Sequence, residues 1–233
     1  MSAQQYRWSA VAGIAGSVLF IGVFLFVGLV VGADASIEAF PGIRLGRTVE
    51  NALYLAALVL WVVAFLGLGR ALRDANPRAS LSSSVLAIVG VGVLAAGALP
   101  HVASVPIADA YHAAGATEAD RVALAAVWQG NQAILTMLLV TGLAIVPIGV
   151  IGLGVAMLEA PGFGRTIGWA SVAVGIVGVM VAAVLLADPA SPAAVIGFFA
   201  LIAFHLAAGW RLMAVTRDGR RDAALASRPA GAG

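Results

Sequence analysis

The sequence predicts an all-α integral membrane bundle of six transmembrane helices, with both termini in the cytoplasm. Three observations predict it. Of the 233 residues, 62% are apolar and only 10% are charged, against roughly 45–50% and about 25% in soluble domains. Six stretches are long and apolar enough to cross a hydrocarbon core of about 30 Å, which takes about 20 helical residues. The basic residues are divided unevenly between alternate loops, as the positive-inside rule expects. Mean hydropathy is +1.04.

The first span runs from about Trp8 to Gly32. Ala33-Asp34-Ala35 offers a small-x-small cleavage pattern, but the apolar run is too long for a signal peptide and reads as a retained anchor. The second span is Asn51–Leu72, and the third is Leu81–Val105. The fourth lies within the tract Arg121–Leu158, which is too long for one straight crossing. Its first part, RVALAAVWQGNQ, reads as an interfacial or partly buried helix that enters the membrane near Ala133. Pro147 sits deep in this span, where proline commonly kinks a helix. The fifth span is Ile167–Leu186, and the sixth is Val195–Ala214. Residues 1–215 form one domain. The polar, unpatterned stretch 216–233 reads as a disordered cytoplasmic tail. No segment alternates strictly between apolar and polar residues, which argues against a barrel.

All thirteen basic residues are Arg. Ten fall on one side of this layout and three, Arg44, Arg47 and Arg121, on the other. Seven of the eleven acids lie with the minority Arg residues. The richer side is assigned to the cytoplasm of a prokaryotic cell, and the bundle to its cytoplasmic membrane. Trp8, Trp169 and Trp210 then fall at the cytoplasmic interface, where indole rings prefer to sit. Trp8-Ser9-Ala10-Val11-Ala12-Gly13-Ile14 also has a faint echo from Trp169 to Ile176.

Several classes of function drop out. The composition excludes a water-soluble enzyme, a nucleic-acid-binding domain and a disordered chain. With no Cys there are no disulfides or thiolate sites. With no Lys there is no retinal Schiff base. No phosphate-binding loop, nucleophile elbow or dinucleotide fingerprint is present. No cofactor is expected.

The candidate ligand-binding residues are the scarce polar groups near or within the spans: Glu50, His101, Trp128, Asn131, Gln132 and His205. A buried ionisable group is expensive in lipid and marks a place to look. His205 lies near the centre of span six. It reads either as a relay or ligand contact, or as a neutral imidazole bonded to a neighbouring helix, and the second is favoured. His101 lies toward the outer end of span three, ahead of Asp109, Tyr111, His112, Glu118 and Asp120 in the following loop. That set matches no strong metal signature, and a solvated acidic loop is the favoured reading. Glu50 suits a helix N-terminus and can pair with Arg47 at i,i+3. Arg44 and Arg47 are also candidates to receive an anionic headgroup. Trp128 shares a helix face with Asn131 and Gln132. That face would line an amphiphile cavity, with indole as platform and amides as donors, or simply anchor at headgroup level.

The chain resembles an uncharacterised prokaryotic membrane family, catalogued as domain of unknown function 4386. The resemblance rests on Tyr6-Arg7-Trp8 followed by SAVAGIAGSVLF, then GIRLGRTVENALYLAALVLWVVAFLGLGRAL, then QAILTMLLVTGLAIVPIGVIGLGVAMLEAPGFGRTIGWASVAVGIVGV. It covers about residues 6 to 215. It implies a multi-pass bundle and supplies no activity, so no functional residue carries over.

The leading expectation is a non-enzymatic protein that binds a membrane lipid or small amphiphile, or serves as an accessory subunit beside a second copy or a membrane partner. A small-solute transporter and an enzyme acting on a lipid or isoprenoid are the alternatives.

Overall fold

The computed structural model describes residues 3–32, 36–189 and 191–226. Ala33-Asp34-Ala35, the candidate cleavage pattern, lies outside them. Among the described residues the fold is entirely helical, without strands. The helices are α1 (Ala3–Phe26), which ends in a π-helical turn (Val27–Val31), α2 (Phe40–Ala71), α3 (Pro77–Ala96), α4 (Ala98–Tyr111), α5 (Glu118–Glu159), α6 (Arg165–Ala187) and α7 (Ala193–Ala226). With α3 and α4 counted as one crossing, six helices are long and apolar enough to span a membrane.

The helices pack in a closed ring. α1 lies between α2 and α7, α2 against α3, α3 against α5, α5 against α6, and α6 against α7. α4 lies across α5 and α2 at the end of the bundle where those two helices begin. Large apolar side chains such as Val59, Val85, Ile134, Met180 and Ile196 face outward. The inner surfaces are rich in Gly, Ala and Ser, which let helix backbones approach closely where no hydrophobic force separates protein from lipid. The buried serines satisfy themselves locally. Ser17, Ser84, Ser104 and Ser171 each donate to the carbonyl four residues earlier, at 2.7 to 2.9 Å. Such back-bonding satisfies these four hydroxyls without a partner from another helix.

Three element boundaries differ from the sequence expectation. The tract from residue 121 is one continuous helix, not an interfacial helix leading into a span. At 1.5 Å per residue, the 42 residues of α5 measure roughly 63 Å, about twice a hydrocarbon core. Its first turns therefore stand beyond the membrane core, capped by Thr117 and Asp120 in a reciprocal box. Pro147 does not end α5, and Gly178 of α6 packs against its ring. The third crossing is longer than expected and is broken at Gly97. Asp109, expected in a loop, is helical in α4. Finally, α7 continues to Ala226, through part of the stretch expected to be disordered. Ala and Arg are good helix formers, and the strong apolar helix before them supplies the nucleus. Residues 227–233 lie outside the description.

Gly149 shows how close the backbones come. A Cβ there would stand 2.7 Å from both the Ala87 nitrogen and the Ser83 oxygen of α3. These are backbone atoms, which cannot rotate away. At Gly92 a Cβ would meet nothing within 4 Å. Gly149→Ala is therefore expected to destabilise the bundle by about 1–3 kcal/mol, and Gly92→Ala to leave it unchanged or slightly more stable. Thermal melts in detergent check this. Equal melting temperatures for the two variants would contradict the packing.

Candidate functional site

At the end of the bundle where α4 sits, a cavity of about 380 Å³ opens among α1, α2, α4, α5 and α7. Each helix lines it with one face. α2 supplies Phe40, Ile43, Arg47, Glu50, Asn51 and Tyr54, and α5 supplies Trp128, Gln132, Leu135, Thr136 and Leu139. Both sets recur at three- and four-residue steps, the spacing of a single helix face. α1 adds Phe20, Val23, Phe24 and Val27 at the same spacing, the last within the π-helical turn. α4 adds His101 and Ser104, and α7 adds Phe198.

The break between α3 and α4 builds the roof. Pro100 has no N–H, so the helix cannot continue its regular ladder through Gly97. Gly97 donates back to the Leu94 carbonyl at 3.0 Å. The Tyr54 hydroxyl of α2 donates to the same carbonyl at 3.1 Å. On the other side, the Asn131 amide of α5 donates to the Pro100 carbonyl at 2.8 Å and to the Ser104 hydroxyl oxygen at 3.0 Å. α4 is thus tied to α2 through Tyr54 and to α5 through Asn131. Farther out, a small apolar cluster of Ile37, Phe40, Ala108 and Trp128 closes over the cavity. The Phe40 and Trp128 rings meet edge to face at 5.3 Å. The loop carrying Ile37 and Glu38 is strapped down by Tyr111, which donates to Glu38 at 3.0 Å, and by the His112 Nε2–H on the Ile37 carbonyl at 3.0 Å. Glu38 is held below the ordinary carboxylate range by its own backbone N–H and by the Tyr111 hydroxyl. The strap is therefore complete at neutral pH and loosens as acid protonates Glu38.

The electrostatics are balanced. Arg47 Nη1 and Glu50 Oε2 are 2.8 Å apart with side chains 17% and 16% exposed. Arg44 meets Asp109 at 2.9 Å on the surface. Neither arginine offers an unmatched charge, which removes the expectation that the two receive an anionic headgroup. Asn51 Oδ1 is buried without a hydrogen-bond partner. Such an orphan ordinarily costs about 1–3 kcal/mol, and here it belongs to a residue that lines the cavity.

Four of the six sequence candidates, Glu50, His101, Trp128 and Gln132, come together on this cavity. The other two do not. Asn131 faces α4, and its amide is used to brace that helix. It is therefore not a donor awaiting a ligand. Trp128 is buried under the roof, not anchored at a lipid surface. His205 lies deeper, fully buried in an aromatic box. Its ring stacks on Trp61 at 4.3 Å and 5° and meets Phe65 and Phe204 edge-on. Its Nδ1–H donates to the Leu201 carbonyl of its own helix at 2.9 Å, not to a neighbouring helix. Trp61 lies between His205 and Phe20, so an indole separates this histidine from the cavity. The acidic and histidine groups after span three also disperse. His112 holds a loop carbonyl and Asp120 a helix cap, and among the described residues no cluster of three or more metal-ligating groups forms.

Asn51, Tyr54, Ser104, Thr136 and the phenylalanines were not singled out by sequence. The steps 47, 50, 51, 54 and 128, 132, 136 were visible there. What was hidden is which faces meet. Comparison with protein-family models, with curated proteins and with solved structures returns no match.

Two variants check the roof and the ion pair. Asn131→Leu removes the bonds that tie α5 to the Pro100 carbonyl and the Ser104 hydroxyl of α4 and is expected to cost about 1–3 kcal/mol of stability. Glu50→Gln strands the partly buried Arg47 charge and is expected to cost about as much, roughly 1–3 kcal/mol, between the values for exposed and buried pairs. In the double variant Arg47→Met/Glu50→Gln, much of the second loss should return. Additive losses in that cycle would contradict an energetically meaningful pair.

Proposed function

We propose that the protein is a non-enzymatic multi-pass membrane protein that holds a lipid or small amphiphile in the cavity beneath α4. The observation that carries this reading is the composition of the wall. Six aromatic rings, Phe20, Phe24, Phe40, Tyr54, Trp128 and Phe198, line it together with a few polar groups gathered toward α2 and α4. Ligand sites for small molecules are typically apolar concavities with a small number of fixed polar groups. α1 and α5 form opposite walls but are not an extensively packed pair among the described residues.

The ten-to-three division of Arg residues supports an orientation with both termini in the cytoplasm. The cavity then sits at the level of the outer leaflet of the cytoplasmic membrane. The likeness to the family catalogued as domain of unknown function 4386 agrees with a bundle of this kind and supplies no activity.

Transport has little in its favour. Below the cavity, Trp61, Phe65, Leu143, Leu153 and Leu201 are buried to 1% exposure or less. A lipid-directed enzyme stands second, because Glu50 and His101 line the same cavity. Against it, Glu50 is already matched by Arg47.

Lipids carried through purification test the proposal. Native mass spectrometry of the wild-type protein is expected to find a retained amphiphile, and Leu139→Trp, which fills the wall between α1 and α5, should lose it. Equal retention by both proteins, or none by either, would count against the cavity as the binding place. Altered lipid species after incubation with a membrane extract, abolished by Glu50→Gln, would favour the enzyme instead.

A further inference from the structure

Resting on the reading of the cavity as an amphiphile site, we infer that it is sized for a single chain of about ten carbons, with the head at the polar boundary of the membrane, and not for the paired chains of a bilayer phospholipid. Two independent measures, depth and volume, give this size.

The first is depth. A helix rises about 1.5 Å per residue, so a hydrocarbon core of about 30 Å takes about 20 residues. On α2 that count runs from Arg70 to Glu50, and on α5 from Glu159 to Leu139. On α1 it runs from Trp8 to Gly28. A polar boundary therefore lies level with Glu50, Leu139 and Gly28. The wall of the cavity is sorted about this level. Arg47, Trp128 and Gln132 lie beyond it, and Glu50 and Asn51 lie at it. Inside it the wall is Phe20, Val23, Phe24, Tyr54 and Phe198. The Tyr54 hydroxyl among them is spent on the Leu94 carbonyl. Phe20 lies roughly 12 Å inside the boundary, from the helical rise between it and Gly28. Trp61, stacked on Phe20 at 4.4 Å, closes the floor there. An extended chain advances about 1.2 Å per bond, so the apolar part is about ten carbons deep.

The second is volume. The cavity holds about 380 Å³. A water-sized group takes about 30 Å³ in a liquid, which leaves room for about thirteen such groups, a chain of that length and a small head. The two chains of a phospholipid each reach across half of a core of about 30 Å and together need about twice this room. Carbons beyond the tenth or so would find no further wall to cover them.

Straight-chain alcohols gauge the site, because their uncharged head leaves the Arg47–Glu50 pair intact. Hexanol, octanol, decanol, dodecanol and tetradecanol are tested on the full chain in lipid nanodiscs by equilibrium dialysis, with protein-free nanodiscs as the blank. From hexanol to decanol the affinity for saturable binding is expected to rise about fourfold per methylene, and from dodecanol onward to stay level. Phe24→Ala, which clears a ring from the wall, should move this break to longer chains, and Val23→Phe, which adds one, to shorter chains. If a variant does not fold, the wild-type series decides alone. An affinity that keeps rising by the same factor through tetradecanol, or a break that neither folded variant moves, would overturn the size inference. If the alcohols bind saturably with that continued rise and Leu139→Trp abolishes binding, the cavity stands as an amphiphile site and only its size class falls. If no alcohol binds above the blank, both fall.

Discussion

A helix that loses its ladder inside a membrane leaves carbonyl oxygens with no water to take them. That happens between α3 and α4, where Gly97 and Pro100 interrupt the third crossing. The carbonyls of Leu94, just before the break, and Pro100, in the first turn of α4, each accept a further bond from a neighbouring helix, from the Tyr54 hydroxyl of α2 and the Asn131 amide of α5. These two bonds fix where α4 lies, and α4 brings His101 and Ser104 over the space between α2 and α5. Without the break, the third crossing would continue as a straight helix and those residues would not roof a cavity. Side-chain bonds from α2 and α5 to the backbone on either side of this break thus hold α4 over the cavity on which the functional reading depends.

The rest of the bundle is built for the opposite purpose. Its interior joins helix to helix through Gly, Ala and Ser, and its large apolar side chains face outward. Phe20, Trp61 and His205 stack in series from the cavity into the core, so aromatic rings form a solid floor. The contrast between a closed core and an open upper end favours a protein that receives something from the membrane at one level over one that passes something through.

Much of this was legible in the sequence. The number of crossings follows from hydropathy, because a span must be apolar over its whole length. Glu50, His101, Trp128 and Gln132 stood out because polar groups are rare in such a chain, and they do meet on one cavity. What the sequence could not convey is the direction in which each side chain turns. Asn131 lies one step from Gln132 yet faces α4, because consecutive helical residues point about 100° apart. For His205 a neutral imidazole bonded to a neighbouring helix is the expectation, and the ring instead bonds to its own helix beneath Trp61. Asn51 was passed over beside Glu50, since an orphan acceptor is a property of the packed structure and not of a residue type. The continuity of α5 was hidden by the mixed composition of its first turns, which pack against α4 instead of lying on the membrane surface.

The most direct test of an amphiphile in this cavity is photo-crosslinking in native membranes. A long-chain lipid probe carrying a diazirine in its tail would be activated, and the labelled residues mapped by peptide mass spectrometry. The account predicts adducts concentrated on the cavity faces of α1, α2 and α5, at positions such as Phe24, Val27, Tyr54 and Leu139. Labelling spread evenly over outward-facing residues such as Val59, Val85 and Met180, with no excess on the cavity wall, would contradict it.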